Sequence, residues 1–255
     1  MKNPKNILIT GASSGIGEAL AVQYAAPGRT LFLCGRNTER LNAVAEQCRV
    51  KGALVFAEKA DVTDAAVMDN WIARCDKMAG LDLVIANAGV SAGTGGMGES
   101  EEQTRRIFAV NVGGVLNTVL PALAKMRARR RGQIALISSL AGYRGLPSAP
   151  AYSGSKNAVR AWGEALRGWL APEGIEINVV CPGFVASRIT AKNKFPMPFF
   201  MQAPKAAAII AARLEKNRGR ITFPWPLALA AWLTACLPAP AAEFILTRLP
   251  KKASD

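Results

Sequence analysis

The sequence predicts an α/β fold, a parallel sheet covered by helices on both faces, and three observations carry that reading. Seven apolar runs of strand length alternate with six amphipathic stretches of helical period along the 255 residues. The runs are apolar at successive positions, as in strands buried on both faces, instead of alternating apolar and polar. Half of the residues are hydrophobic and 20% are charged, which excludes a disordered chain. Neither repeat nor linker breaks the alternation, so a single domain is expected, with an apolar extension over 223–255 following a body over 1–222.

The strand candidates are 6–10, 30–34, 53–58, 81–86, 133–138, 175–181 and 220–223. The helix candidates are 15–26, 38–50, 64–78, 101–130, 152–170 and 204–217. The first strand follows Met1-Lys-Asn-Pro-Lys directly, with no signal-peptide pattern, and five scattered cysteines show neither C-x-x-C spacing nor an even count. A reducing, cytoplasmic location is expected, with no metal site. Lys and Arg exceed Asp and Glu by 32 − 18 = 14. The densest basic run, 125–131, closes a helical stretch before Gly132 and lacks interleaved aromatics, so a solvated helix end is expected there and no nucleic acid.

The first strand ends in Thr10-Gly11-Ala12-Ser13-Ser14-Gly15-Ile16-Gly17 and opens a helix. Glycines permit the sharp turn and bring backbone amides near a phosphate, and a helix N-terminus favours the negative charge. The spacing is G-x-x-x-G-x-G, and a tight turn without ligand reads the same in isolation. After the second strand, Gly35 stands where an acidic residue would accept the ribose 2′-hydroxyl of NAD, and Arg36 follows where a guanidinium would meet a 2′-phosphate. NADP (NADPH) is therefore expected ahead of NAD. Asp61 ends the third strand and either accepts from an adenine amino group or helps to cap the next helix. Strand four ends in Asn87-Ala88-Gly89, before a glycine-dense loop over 91–98. Asn111 lies among apolar residues of the following helix, where a carboxamide needs backbone or water partners at a local distortion.

Strand five leads to Ser139, thirteen residues before Tyr152 in Tyr152-Ser-Gly-Ser-Lys156. Tyrosine and lysine four apart on a helix share a face, and a cation beside a phenol lowers a pKa that starts at about 10. The chain has no histidine, so proton transfer at neutral pH requires another side chain with a shifted pKa. By itself a Tyr-x-x-x-Lys pair is common on helices.

Taken in order, the glycine-rich turn, Asp61-Val62, Asn87-Ala88-Gly89, Asn111, Ser139, Tyr152-x-x-x-Lys156 and Cys181-Pro182-Gly183 resemble the short-chain dehydrogenase/reductase family over about the first 190 positions. The resemblance implies a Rossmann-like, doubly wound seven-stranded sheet. It implies Tyr152 as proton donor to a carbonyl oxygen, Lys156 lowering the Tyr152 pKa and holding the nicotinamide ribose, Ser139 bonding the substrate oxygen and Asn111 positioning a water. Cofactor contacts are implied for Gly11, Ser13, Ser14, Gly15, Ile16, Gly17, Arg36, Asp61, Val62, Asn87, Ala88, Gly89, Tyr152, Lys156, Pro182, Gly183, Val185 and Ser187, the last replacing the family's threonine.

The variable loop, about 184–203, carries Phe195, Met197, Phe199, Phe200 and Met201, which suit either an apolar pocket or a cover for the core. An apolar helix is expected at 226–237, bracketed by prolines and too short to span a bilayer. Packing or subunit contact comes first for it, and a membrane surface with Arg248, Lys251 and Lys252 at the head groups second. The function expected is reduction of an apolar, lipid-like carbonyl substrate by a homo-oligomeric enzyme. The alternative is a membrane-surface or interaction protein that uses the nucleotide fold as a sensor.

Overall fold

A computed structural model describes residues 1–95, 98–191, 193 and 195–248. Its seven strands are β1 (Asn6–Thr10), β2 (Thr30–Gly35), β3 (Leu54–Lys59), β4 (Leu83–Ala86), β5 (Gly132–Ile137), β6 (Ile175–Pro182) and β7 (Arg220–Phe223). All neighbours pair in parallel, in the order β3-β2-β1-β4-β5-β6-β7. This is the doubly wound Rossmann-like sheet, and the order reverses between β1 and β4. Doubly wound sheets bind their ligands in the crevice at the carboxyl edge where the order reverses.

Successive strand residues divide between the two faces. Ile7, Ile9, Leu31, Leu33, Leu83 and Ile85 pack beneath α1 (Gly15–Tyr24), α2 (Thr38–Val50) and α8 (Ala203–Glu215). Leu8, Phe32, Val84, Ile134 and Leu136 pack beneath α3 (Ala65–Ala79), α5 (Gly114–Ala128) and α6 (Pro150–Leu170). Both faces being dry in β1, β2, β4, β5 and β6 explains their unbroken apolar runs, whereas β3, at the edge of the sheet, leaves Leu54 and Phe56 exposed.

Single side chains close three helix starts: Asn37 accepts from Arg40 N, Asp64 from Val67 N and Ser100 from Gln103 N. The cap of α3 is therefore Asp64, and Asp61 instead accepts from the Thr63 amide and hydroxyl in the turn before it. The helix expected over 101–130 is interrupted. It runs as α4 (Glu101–Phe108), a π turn (Ala109–Gly113) and α5. Asn111 sits inside the π turn, the kind of distortion its buried carboxamide demanded.

The basic run ends α5 at the amino edge of the sheet and is engaged with the chain itself. Arg127 makes a two-bond pair with Glu173, Arg129 pairs with Asp76, and Arg131 lies 3.6 Å from Asp82. The short α7 (Arg188–Ala191) precedes α8, and beyond β7 come α9 (Trp225–Cys236) and α10 (Ala239–Leu246). Helix α9 lays Ala231 and Ala235 on Tyr143, Val179 and Cys181, and Arg144 donates to the Ala235 and Leu237 carbonyls at its end.

Candidate active site

The glycine-rich turn is held open by crowding that a side chain would violate. Gly11 and Gly15 have φ of 64° and 61°. A Cβ on Gly17 would fall 2.4 Å from both Asn87 Nδ2 and the Gly11 carbonyl, and one on Gly11 2.8 Å from the Ala88 Cα. Asn87 explains the geometry: its Nδ2 donates to the carbonyls of Thr10 and Gly11, at 2.9 and 3.2 Å, locking β4 to the turn. The Thr10 hydroxyl accepts from the amides of Asn87 and Ala88. Thr10 was missed as a site residue, and its hydroxyl at the strand end was the available signal.

The start of α1 differs from those of α2, α3 and α4. Ser14 is its N-cap residue, yet its side chain makes no capping bond. Ile16 packs into the core beneath the turn. A glycine cradle in front of a helix start without a side-chain cap fits the pyrophosphate of a dinucleotide, satisfied by amides and favoured by the helix dipole.

The rim of the crevice at β2 and β3 brings Arg36 and Asp61 together, Nη1 to Oδ2 at 4.0 Å, with side chains 61% and 44% exposed. Gly35 faces Ser13, whose Oγ would be 3.1 Å from an added Cβ. Val62 turns inward instead, and its Cγ2 takes the space that a side chain at Gly114 would need.

Helix α6 carries Tyr152 and Lys156 one turn apart. Ser139, at the end of the loop from β5, opens the short 3-10 turn Leu140–Gly142. The Ser139 side chain hydrogen-bonds the Tyr152 phenol, and its Oγ accepts from Ala141 N at 3.1 Å. Lys156 is 4% exposed, and its Nζ donates to the Ile137 carbonyl at 2.9 Å. An added Cβ at Gly89 would lie 3.3 Å from that Nζ and 3.2 Å from Asn111 Oδ1. Thus Ser139, Tyr152, Lys156, Gly89 and Asn111 converge beside the turn held by Asn87.

One electrostatic expectation is corrected. Burial is the dominant influence on the Tyr152 phenol and raises its pKa above the ordinary value of 10.0, with the Ser139 bond pulling the other way. Burial also pushes the Lys156 ammonium down to about 8. The lysine ammonium is directed at the Ile137 carbonyl, and the serine hydroxyl is a group that lowers the phenol.

Asn111 is fully buried and wholly engaged. Its Oδ1 accepts from Val90 N, and its Nδ2 donates to Val90 O and to Ser155 Oγ, at 2.8, 3.0 and 3.0 Å. On the other side of the crevice, Gly183 donates to Phe223 O, and Pro224, Leu227 and Leu140 surround its open face. Val185 forms a parallel bridge with Met201, closing the variable loop at its base. Ser187 has its Oγ 3.3 Å from Thr190 Oγ1, and its Cβ fills the space beside Gly15, which joins this loop to the glycine-rich turn. Phe184 and Phe195 meet edge to face at 6.0 Å, whereas Phe199 and Phe200 are exposed and so do not cover the core.

Comparison with known proteins agrees with this geometry. The short chain dehydrogenase family description matches residues 5–196. An uncharacterized oxidoreductase of Myxococcus xanthus is 37% identical over 246 residues, 96% of this chain and 97% of its own. The structure of a short chain dehydrogenase/reductase from Burkholderia phymatum in complex with NAD has a TM-score of 0.83 at 24% identity, covering 98% of both chains. A short-chain dehydrogenase from Sphingobium yanoikuyae in complex with NADPH has a TM-score of 0.80 at 25% identity, covering 96% of both. The sheet order, the glycine cradle and the Ser139–Tyr152–Lys156 cluster thus belong to a nucleotide-dependent oxidoreductase, and the chain is a member of the short-chain dehydrogenase/reductase family.

Proposed function

We propose that the protein is an NADPH-dependent reductase of an apolar carbonyl compound, with Tyr152 as the proton donor. The observation that carries this reading is the convergence of Ser139, which opens the turn after β5, with Tyr152 and Lys156 one turn apart on α6, the Lys156 ammonium tied to the end of β5 beside Gly89. The nicotinamide supplies the hydride when it is bound. As negative charge develops on the carbonyl oxygen, the neighbouring Tyr152 and Ser139 hydroxyls are the donors that would stabilise it, the serine turning its proton from the phenol to the substrate. Tyr152 then gives up its proton, a step that burial opposes by raising the phenol pKa and that the Ser139 hydroxyl favours by lowering it.

Lys156 holds its proton next to Gly89 and Ile137, in position to meet ribose hydroxyls. Both Asn111 Nδ2 protons are used within the chain, so a relay water could meet only oxygen atoms of that residue. The implied nicotinamide contacts are Pro182, Gly183 and Val185. Those toward the pyrophosphate are the turn Gly11–Gly17 and Ser187. NADPH over NADH is supported by Gly35 and by the exposed Arg36 guanidinium, which has Asp61 as a loose partner.

The apolar character of the substrate is supported by Leu140 and Leu227 beside Gly183, and by the Phe184–Phe195 pair in the variable loop that follows. An inactive nucleotide sensor would have no need of the Ser139–Tyr152 pair. Turnover of medium-chain aliphatic aldehydes, methyl ketones and 3-oxo esters with NADPH tests the reading. It is abandoned if Tyr152→Phe keeps the activity.

A second observation bears on partners. Helix α9 has no charged residue and exposes Trp225, Leu229, Trp232 and Leu233, with Trp225 at 74%. Self-association through this stripe, giving a homo-oligomer, is the reading it favours; lipid contact is the competing one, and Lys251 and Lys252 of that reading lie outside the described residues. All five cysteines are free thiols and four are buried, which supports a reducing, cytoplasmic setting.

A further inference from the structure

Helix α6 carries a third functional-looking side chain on the face of Tyr152 and Lys156. Arg160 follows Lys156 by one turn and Tyr152 by two. Its Nε donates to the Gly142 carbonyl at 3.0 Å, the last carbonyl of the 3-10 turn that Ser139 opens. The guanidinium carbon lies 5.0 Å from the Tyr143 ring centre, and Nη1 is 3.4 Å from both Glu164 oxygens. Glu164 is itself held by Arg220 Nε at 2.8 Å, and Arg220 lies over the same tyrosine at 5.6 Å. The Arg160 side chain is only 18% exposed, so this arrangement is not a solvated surface pair.

The turn it grips has little other freedom. The Ser138 hydroxyl donates to the Lys156 carbonyl at 2.7 Å, and a Cβ on Gly142 would meet the Lys156 carbonyl carbon at 2.7 Å. The turn is therefore pressed on α6 at both ends, and Arg160 is the charged donor at its far end. Because Ser139 Oγ accepts from Ala141 N within this turn, the direction of the hydroxyl toward Tyr152 follows the seating of the turn.

We propose that Arg160 is a positioning residue: by holding the Gly142 carbonyl it keeps the Ser139 hydroxyl in register with the Tyr152 phenol. Arg160 touches neither reacting group and acts through the turn. The proposal rests on the reading of Ser139 and Tyr152 as the pair that meets the substrate oxygen. An error of about 1 Å in such a pair costs on the order of 100-fold in rate, so a partial loss of register is measurable.

The test is a double-mutant cycle on the full-length protein, with Arg160→Met and Ser139→Ala singly and together. Rates are read with NADPH and whichever medium-chain aliphatic aldehyde, methyl ketone or 3-oxo ester turns over fastest. NADPH affinity is read separately by fluorescence. Arg160→Met is expected to lower kcat about 10-fold or more with NADPH affinity unchanged, and to lower it less than about 2-fold once Ser139 is alanine. An equal loss in both backgrounds, or a parallel loss of NADPH affinity, overturns the proposal. If Arg160→Met does not fold, Arg160→Lys, which keeps a positive charge for Glu164 but lacks the Nε donor to the Gly142 carbonyl, takes its place in the cycle. A Ser139→Ala variant with undiminished kcat would instead sink the reading on which the proposal rests.

Discussion

Lys156 directs its ammonium at the backbone carbonyl of Ile137, 2.9 Å away, and so ties the helix of Tyr152 to the end of β5. The bond is made by a cation that burial disfavours, and the lysine is pushed down to about 8 from 10.5. Below about pH 8 both folded and unfolded chains hold the proton, and the folded state bears the full desolvation penalty. Between about 8 and 10.5 the unfolded chain holds a proton that the folded one has released, so stability rises with pH through that window. Urea unfolding of wild type and Lys156→Met checks this. The difference between them narrows as pH rises through the window, and at neutral pH the variant is more stable by about 1–3 kcal/mol, less whatever the lost Ile137 bond was worth.

The Ser139 bond lowers the Tyr152 phenol while burial raises it. In alcohol oxidation the phenolate is the required form, so the rate climbs with pH as the phenol ionises. Ser139→Ala removes the lowering influence and should move that climb to higher pH, besides lowering the rate. A pH profile of oxidation that keeps its position in Ser139→Ala would contradict the assignment.

Gly17 has no room for a methyl group, since it would meet Asn87 Nδ2 and the Gly11 carbonyl at 2.4 Å. Gly17→Ala is expected to destabilise the fold by about 1–3 kcal/mol and to abolish NADPH binding. Thermal unfolding and nucleotide fluorescence report the two effects separately. Unchanged binding would mean that the turn is only a turn.

Arg36 is the cofactor-selecting residue under the proposed function. Arg36→Ala should weaken NADPH about 10- to 100-fold and NADH much less, the loss of one charge-assisted contact. Gly35→Asp should shift preference toward NADH, with Ser13 giving way at 3.1 Å. Equal losses for both nucleotides in Arg36→Ala would remove the argument.

The exposed stripe of α9 makes a prediction about assembly. Replacing Leu229 and Trp232 with serine should reduce the sedimenting species to a monomer without altering the fold, since neither side chain is buried. Flotation with anionic liposomes separates the competing outcome. Lipid binding lost in the same variant, with sedimentation unchanged, would favour a membrane surface over a second copy.

Several of these features were legible in the chain. Apolar runs unbroken at successive positions imply strands buried on both faces, which demands helices on both sides; β3 departs from this because it is an edge strand, with Leu54 and Phe56 exposed. The 3.6-residue period put Tyr152 and Lys156 on one face wherever the helix lay. Glycines before a helix indicated a sharp turn, and Gly11 and Gly15 take φ of 64° and 61°, which few other residues adopt. The buried Asn111 amide pointed to a distortion, and the structure has a π turn at that position.

What the sequence determined by itself is therefore local and periodic: which segments are strands or helices, which faces they bury, and which chemical groups share a helix turn. Only the tertiary structure decided how charges are spent, because that depends on partners distant in the chain. It turned Lys156 toward Ile137 and set the Ser139 hydroxyl to lower the Tyr152 phenol against the effect of burial. It brought Arg36 to Asp61 from another strand and set Arg160 on the turn of Ser139. Desolvation is the physical reason: a pKa or an ion pair is fixed by the groups and the burial around it, and a linear pattern carries neither.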